Sequence, residues 1–284
     1  MRALPDVPGV RHADHPLPTG VTLHVAEAGD PAAPALLAVH GWPQHWWLWR
    51  ELIPALADRH RVICPDLRGL GWSGQPADGD FTKARFADDM LALLDALGIE
   101  RAGYLGHDWG GWTGWLVGLR APERISRLMA VSIVHPWTPR GAALRNAWRL
   151  GYQYPLATPV FGPALVRDGR VVRCVLERSM SAATAAVYAD VLREPERASA
   201  SSALYRQFQL RELPDLALGR LAGGRLAMPV KVLFGRHDPV QSPALLGGLE
   251  RHAAELDVEV VDGGHFLVDE RPALVADRAR AWFG

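Results

Sequence analysis

The hydrophobic positions of the chain change period again and again. In "VTLHVAE" (21–27) apolar and polar residues alternate as in a half-buried strand, and "ALLAVHG" (35–41) is a short apolar run closed by glycine, as buried strands are. "LWRELIPALAD" (48–58) takes helical spacing, "RVICPDL" (61–67) reads as a strand entering a turn, and "ARFADDMLALLDALG" (84–98) is an amphipathic helix stopped by glycine. The strand "RAGYLGH", the helix "GWTGWLVGLRA" and the strand "ISRLMAVSIVH" follow. Such alternation predicts parallel strands joined by crossover helices.

After His135 the rhythm breaks. From about residue 137 to 228 the segments are helical and strand-poor: "GAALRNAWRLGYQY", "ALVRDGRVVRCVLERS" and "ATAAVYADVLREPERASASSALYRQFQLREL". Alternation resumes with "PVKVLFGRHDPV" (229–240), a helix near 243–253, "ELDVEVVDGGHF" (255–266) and a final helix through "ALVADRARAWF". The pattern predicts an α/β core made of residues 1–136 and 229–284, interrupted by a helical cap over 137–228, with "GRLAGGR" as the hinge returning from it.

Composition narrows the partners. The chain has 284 residues, 49% of them hydrophobic, enough for a sizeable core. With Lys plus Arg at 31 and Asp plus Glu at 31, no global charge draws it to nucleic acid or anionic lipid, so a small, largely neutral ligand is expected. No run approaches the roughly 20 apolar residues of a membrane helix, and the first residues carry no signal-like apolar stretch, so the expected protein is cytoplasmic, a monomer or homodimer. Cys64 and Cys174, far apart and among apolar neighbours, are expected as buried free thiols. The eleven histidines show no paired ligand spacing, "HADH" (12–15) is assigned to an exposed terminal segment, and "GLGWSG" is too short a glycine pattern to imply a dinucleotide, so neither metal nor cofactor is expected.

In an open parallel sheet, reactive groups gather beyond the carboxyl ends of the strands. His40 to Pro43, Asp108, Asp238 and His265 all fall there. In "GHDWGG" small residues stand two before and two after Asp108, as a crowded strand-to-helix turn needs. Asp108 then either projects into the crevice or caps the following helix. The chain order Asp108, Asp238, His265 favours the crevice, because a nucleophile, an acid and a histidine follow in that order in α/β-hydrolases. His107 is assigned a structural role, His237 a solvated loop and Asp66 a turn or ion pair, and "SIVHPWTPR" offers no rival carboxylate. Trp46, Trp47, Trp49, Trp112 and Trp115 are assigned to core or pocket lining.

Through "HGWPQHWWLWR", "PDLRGLGWSGQP", "GHDWGGW", "FGRHDPV" and "GGHFLVDERP" the chain resembles α/β-hydrolase fold enzymes of the epoxide hydrolase branch. The resemblance implies Asp108 as nucleophile, His265 as base, Asp238 as orienting acid and His40-Gly41-Trp42-Pro43 as oxyanion loop. The backbone N–H groups of Trp42 and Trp109 would receive the oxyanion, and His40, Trp42, Pro43, Trp109 and Tyr154 would line the substrate. A carboxylate, with an ordinary pKa of about 3.9, is ionised at neutral pH and displaces at an sp³ carbon without a base. The alkyl ester it forms would be cleaved by water activated by His265.

The electrophile is read from the leaving-group donors. An epoxide oxygen wants O–H donors, and four of the five tyrosines lie in the cap: Tyr152, Tyr154, Tyr188 and Tyr205. The resemblance implies a pair of them, assigned to Tyr152 and Tyr205 with Tyr154 the rival to Tyr152. Haloalkane dehalogenases typically place an asparagine where this chain has Trp42, and fluoroacetate dehalogenases an arginine where it has Trp109. Hydrolysis of a small hydrophobic epoxide to a vicinal diol therefore leads, dehalogenation of a haloalkane comes second, and a non-catalytic hydrolase-fold binding protein is the reading of another class.

Overall fold

The alternating runs pair into one eight-stranded sheet in a computed structural model that describes residues 3–284. The strands are β1 (Arg11–Leu17), β2 (Val21–Ala28), β3 (Ala35–Val39), β4 (Arg61–Pro65), β5 (Ala102–His107), β6 (Ile125–Val131), β7 (Val230–Gly235) and β8 (Leu256–Val261). Their order is β1-β2-β4-β3-β5-β6-β7-β8, with β2 antiparallel to both neighbours and every later pairing parallel. Every residue of β5 and of β7 is buried, which is why these strands read as continuous apolar runs rather than alternations.

The faces of the sheet divide the core by the period of two. Leu37, Val39, Tyr104, Leu128 and Phe234 pack with α2 (Lys83–Ala96) and α3 (Trp109–Arg120). Leu36, Ala38, Leu105, Met129 and Leu233 pack with α1 (Ile53–Leu56) and α12 (Pro272–Phe283). Another short helix, α11 (Leu267–Glu270), follows β8. Between β6 and β7 the chain is helical, through α4 (Arg140–Asn146), α5 (Gln153–Ala157), α6 (Phe161–Asp168), α7 (Arg170–Leu176), α8 (Ala182–Leu192), α9 (Pro195–Gln207) and α10 (Leu213–Ala217). A π-helical turn, Phe208–Glu212, joins the last two.

Four local expectations are corrected. The "HADH" segment is exposed but is a strand, β1, whose full ladder runs from Arg11↔Glu27 to Leu17↔Val21; its outward polar faces hid the pairing. The helix expected over 48–58 shrinks to a 3₁₀ turn, Trp46–Trp49, and the four residues of α1, because Pro54 has no N–H to continue the ladder. The helix expected near 243–253 is two 3₁₀ turns, parted by Gly247 and a left-handed Gly248 at φ 97°. Cys174 is exposed, since α7 turns Val172 and Leu176 inward instead; Cys64 is a buried free thiol.

Asp66 anchors the loops that carry the site. Its buried carboxylate accepts the N–H groups of Trp46 at 2.7 Å and Trp72 at 2.9 Å and pairs with His24 Nδ1 at 2.9 Å. Burial works to raise its pKa, but His24, with support from His40 and His45, outweighs that and holds it at about 2. An Asp66→Asn variant sets an amide N–H₂ against at least one of these donors. We expect it to lose about 3 kcal/mol at neutral pH, measured by urea unfolding. Because the folded pKa lies below the usual 3.8, the wild-type advantage is present above pH 3.8 and fades as pH falls through about 2.

Candidate active site

At the end of β5 the chain turns sharply at Asp108, with φ 50° and ψ −123°, and enters α3 at Trp109. A β-substituted residue is costly in that region, and only a constrained surrounding keeps it there. The constraint is visible in the neighbours. A β-carbon on Gly106 would lie 2.6 Å from the Gly110 carbonyl oxygen, one on Gly110 would overlap the Val39 carbonyl, and one on Gly41 would overlap the Asp108 carboxylate. Asp108 stands at the N-cap position of α3 but its side chain makes no capping bond. The alternative of a simple helix cap is therefore not what this carboxylate does.

Its two oxygens have different partners. Oδ1 accepts the backbone N–H of Trp42 at 3.0 Å, while Oδ2 lies 3.5 Å from His265 Nε2. His265 Nδ1 meets Asp238 Oδ2 at 2.8 Å, and Asp238 Oδ1 accepts the N–H groups of Val240 at 2.7 Å and Gln241 at 2.8 Å. All three side chains are buried. Burial by itself lowers the imidazole pKa of His265, but Asp238 and then Asp108 outweigh it and lift it to about 10. The sequence thus brought together three residues from three strand ends, 157 positions apart at the extremes (265 − 108).

His107 plays the structural part expected of it, with Nε2 bonded to the backbone carbonyl of His265 at 2.9 Å. Burial, then the neighbouring His265, lowers its pKa to about 4, so it is neutral at physiological pH. His40 corrects an expectation. Its Nε2 accepts the Leu67 N–H at 2.9 Å, its Nδ1 bonds the Gly41 carbonyl at 2.8 Å, and it is fully buried, so both polar atoms are spent on backbone rather than on a substrate. It clamps the loop in which Pro43 follows a cis peptide. Among the expected oxyanion donors, the Trp42 N–H is bonded to Asp108, and Trp109 supplies the first amide of α3. His237 is exposed and meets Asp262.

One face of the helix continuing from α9 through the π turn closes over this centre. Ser201 accepts the Trp42 indole N–H at 2.9 Å, Tyr205 stands edge-on to Trp42 at 5.2 Å and to Trp109 at 6.0 Å, and Phe208 packs on Trp109 at 4.8 Å. Tyr152 stacks edge-on to Tyr205 at 6.0 Å. Although 37% of Tyr152 is exposed, its hydroxyl end is desolvated: burial first, then Asp108, raises its pKa, and burial first, then Tyr152 and Asp108, raises that of Tyr205. Tyr154 is 62% exposed and lies two residues from Tyr152, which on a helix is the opposite side, so of the two it is Tyr152 that stands beside Tyr205. Trp109 Nε1 is buried near the Tyr205 phenol without a formed hydrogen bond.

Several residues escaped the sequence reading. Arg50 donates to Asp269 at 2.7 Å and to the Tyr188 hydroxyl at 3.0 Å, and Gln44 also donates to Asp269, so the loop after β3, the segment after His265 and α8 share one buried network. Lys83 and Glu212 form a second one at Trp109. Lys83 had a signal: a cation one residue after the N-cap Thr82, where the helix dipole disfavours positive charge.

The model of the alpha/beta hydrolase fold family matches residues 34–272. The chain belongs to this family. This α/β-hydrolase is 28% identical to the AB hydrolase superfamily protein YfhM of Bacillus subtilis, over 90% of its own length and 92% of that relative. Epoxide hydrolase A of Mycobacterium tuberculosis is 42% identical over a shorter stretch, 43% of this chain and 38% of that protein. Among solved structures, Cfl2 from Burkholderia cenocepacia superposes with a TM-score of 0.85 at 28% identity, covering 97% of this chain and 96% of that one. The epoxide hydrolase CorEH superposes at 0.79 and 28%, covering 96% and 98%. None of the helices in the described residues of this hydrolase is long and apolar enough to cross a membrane.

The elbow's tolerance can be measured without a substrate. Gly110→Ala should lose about 3 kcal/mol, since the added methyl meets backbone that cannot yield, whereas Gly223→Ala, which faces open space, should stay within about 0.5 kcal/mol. Equal stability of the two variants in chemical denaturation would refute this account of the turn.

Proposed function

We propose that the protein hydrolyses a small hydrophobic epoxide to a vicinal diol through an ester on Asp108. The observation that carries the reading is a carboxylate at the elbow with Oδ1 on the Trp42 N–H, Oδ2 facing His265, and two desolvated phenols alongside. Relatives named epoxide hydrolases support it. Asp108 Oδ2 attacks an epoxide carbon, the ring C–O bond breaks, and the ring oxygen takes a proton from Tyr152 or Tyr205. Raised phenol pKa values keep both groups protonated and ready to donate at neutral pH. The helical segment 137–228 acts as the cap that delivers them.

The second step follows from charge. While Asp108 is anionic, His265 is held protonated; the ester abolishes that charge and leaves Asp238 as the main support of the imidazolium. The imidazole pKa therefore drops when the ester forms, His265 gives up its proton to the phenolate left by ring opening, and the neutral imidazole can then take a proton from water. Hydroxide adds to the Asp108 carbonyl carbon, and the oxyanion develops on Oδ1, already bonded to Trp42. Collapse breaks the bond to Oδ2, the alkoxide takes the proton from His265, the carboxylic acid formed at Asp108 returns its own proton to His265, and the diol leaves.

Halide displacement is the second reading, favoured by the uncommitted Trp109 Nε1. The Trp42 indole is committed to Ser201, which leaves a halide one ring donor rather than two. A panel of epoxides and terminal haloalkanes, followed for diol and for halide, separates them: diol without halide is expected, and halide without diol would reject the epoxide reading.

Two measurements test the mechanism. In a single turnover in heavy-oxygen water, the label should enter Asp108 and not the diol, read by peptide mass spectrometry; label in the diol instead would rule out the ester. Independently, Asp108→Asn removes a charge that raises the His265 pKa, so its ring resonances should titrate below about 10. An unchanged midpoint would sever the link between ester formation and base activation.

A further inference from the structure

Lys83 is fully buried in the first turn of α2, at a position that both desolvation and the helix dipole penalise. Its ammonium lies 4.5 Å from the centre of the Trp109 ring, 5.1 Å from that of Phe208 and 5.9 Å from that of Phe86. Glu212 answers it twice: Oε2 forms an ion pair with Nζ at 2.9 Å, and Oε1 accepts the Lys83 backbone N–H at 2.8 Å. Nζ also reaches the Leu204 carbonyl at 3.3 Å. Glu212, Asp108 and Asp80 are the acidic groups whose charge it feels.

These contacts fall on one helix face. Ser201, Tyr205, Phe208 and Glu212 are spaced four, three and four residues apart, and each touches the core: Trp42, then Trp42 and Trp109, then Trp109 and Trp112, then Lys83. The turn before α2 is strapped to the same helix, with the Phe81 N–H donating to Gln207 at 2.8 Å and Gln207 donating to the Gly79 carbonyl at 2.8 Å. A π turn inserts one residue into a helix and shifts everything beyond it, and here it spans Phe208–Glu212, just after Tyr205. The helix is held at Ser201, before Tyr205, and at Glu212, after it, so the position of Tyr205 relative to Asp108 depends on both contacts.

We propose that Lys83, paired with Glu212, is a positioning residue of the site: it fixes the register of the helix carrying Tyr205 and the tilt of the Trp109 ring beside the nucleophile. The part concerning Tyr205 rests on the epoxide reading. A buried ion pair adds little net stability over a well-packed apolar pair, so its stability effect and its positioning effect are separable.

The test compares Lys83→Met, Glu212→Gln and the double variant with wild type. Each single variant should melt early, because it strands a buried partner, and the double variant should recover most of that loss. Ester formation by the double variant, followed in single turnovers on an epoxide the wild type converts, should remain roughly tenfold slow from misplacement of the donor. Ester hydrolysis should stay within about twofold of wild type, since His265 and the Trp42 amide do not touch Lys83. Tyr205→Phe should cost less in the double variant than in wild type, as the hydroxyl is already displaced. Wild-type ester formation in the double variant, equal slowing of both steps, or an undiminished cost of Tyr205→Phe would each overturn the proposal and leave the pair a mere staple. A substrate-free readout covers failure of the epoxide reading itself. In isotope-labelled double variant the Trp109 indole N–H signal, assigned with Trp109→Phe, should move and broaden while that of Trp42 stays; an unmoved Trp109 signal overturns the positioning role whatever the reaction is.

Discussion

The site depends on how closely backbone can approach backbone between two adjacent parallel strands. The Val39 carbonyl occupies the space a side chain on Gly110 would need, and the Asp108 carboxylate occupies the space of one on Gly41. Only because both positions lack a β-carbon can the Trp42 amide reach Asp108 and the turn hold its left-handed conformation. The strain at Asp108 is balanced by the parallel pairing of β5 with β3 and β6 on either side, which fixes the ends of the turn before the carboxylate is considered. Reactive geometry here is a consequence of sheet packing, and the loops add donors to it.

Charge is buried in sets whose members depend on one another. Asp108, His265 and Asp238 form one, Asp66 with His24 another, and Lys83 with Glu212 a third. Each set is balanced so that removal of one member leaves a costly remainder. On the proposed mechanism, the same dependence in the first set gives the chemistry a direction, because neutralising Asp108 lowers the pKa of His265. The other two hold loops and helices in place: Asp66 through the amides of Trp46 and Trp72, and Glu212 through the Lys83 backbone and ammonium.

The core was legible because its period is short-range information. Strand runs, the glycine-flanked elbow and the order of Asp108, Asp238 and His265 survive in the sequence since each is set by local backbone demands at strand ends. Tyr152 was separable from Tyr154 only once the helix between β6 and β7 had a phase, because "GYQY" by itself carries two tyrosines on opposite sides. His40 looked like a substrate contact because it stands in the loop motif, while its two backbone bonds depend on Leu67 in a distant turn. Lys83 and Glu212 are 129 positions apart (212 − 83), and nothing local to either announces the other. The mismatch of a cation with a helix N-terminus was the one trace, and it points to a partner without saying which.

The division of labour between the two parts of the chain has a physical origin. On the proposed reaction a nucleophile and the group that activates water must keep fixed distances through two steps, and strand ends braced on both sides provide that rigidity. In the proposed ring opening, donors to a leaving group must instead match the place where that group sits, which varies with the substrate. Helices laid over the sheet can shift as units without disturbing the elbow, provided that something sets their height. The contacts at Ser201 and Glu212 flank Tyr205, so on the proposed reaction a change at either would retune the position of Tyr205 while leaving Asp108, His265 and Asp238 untouched.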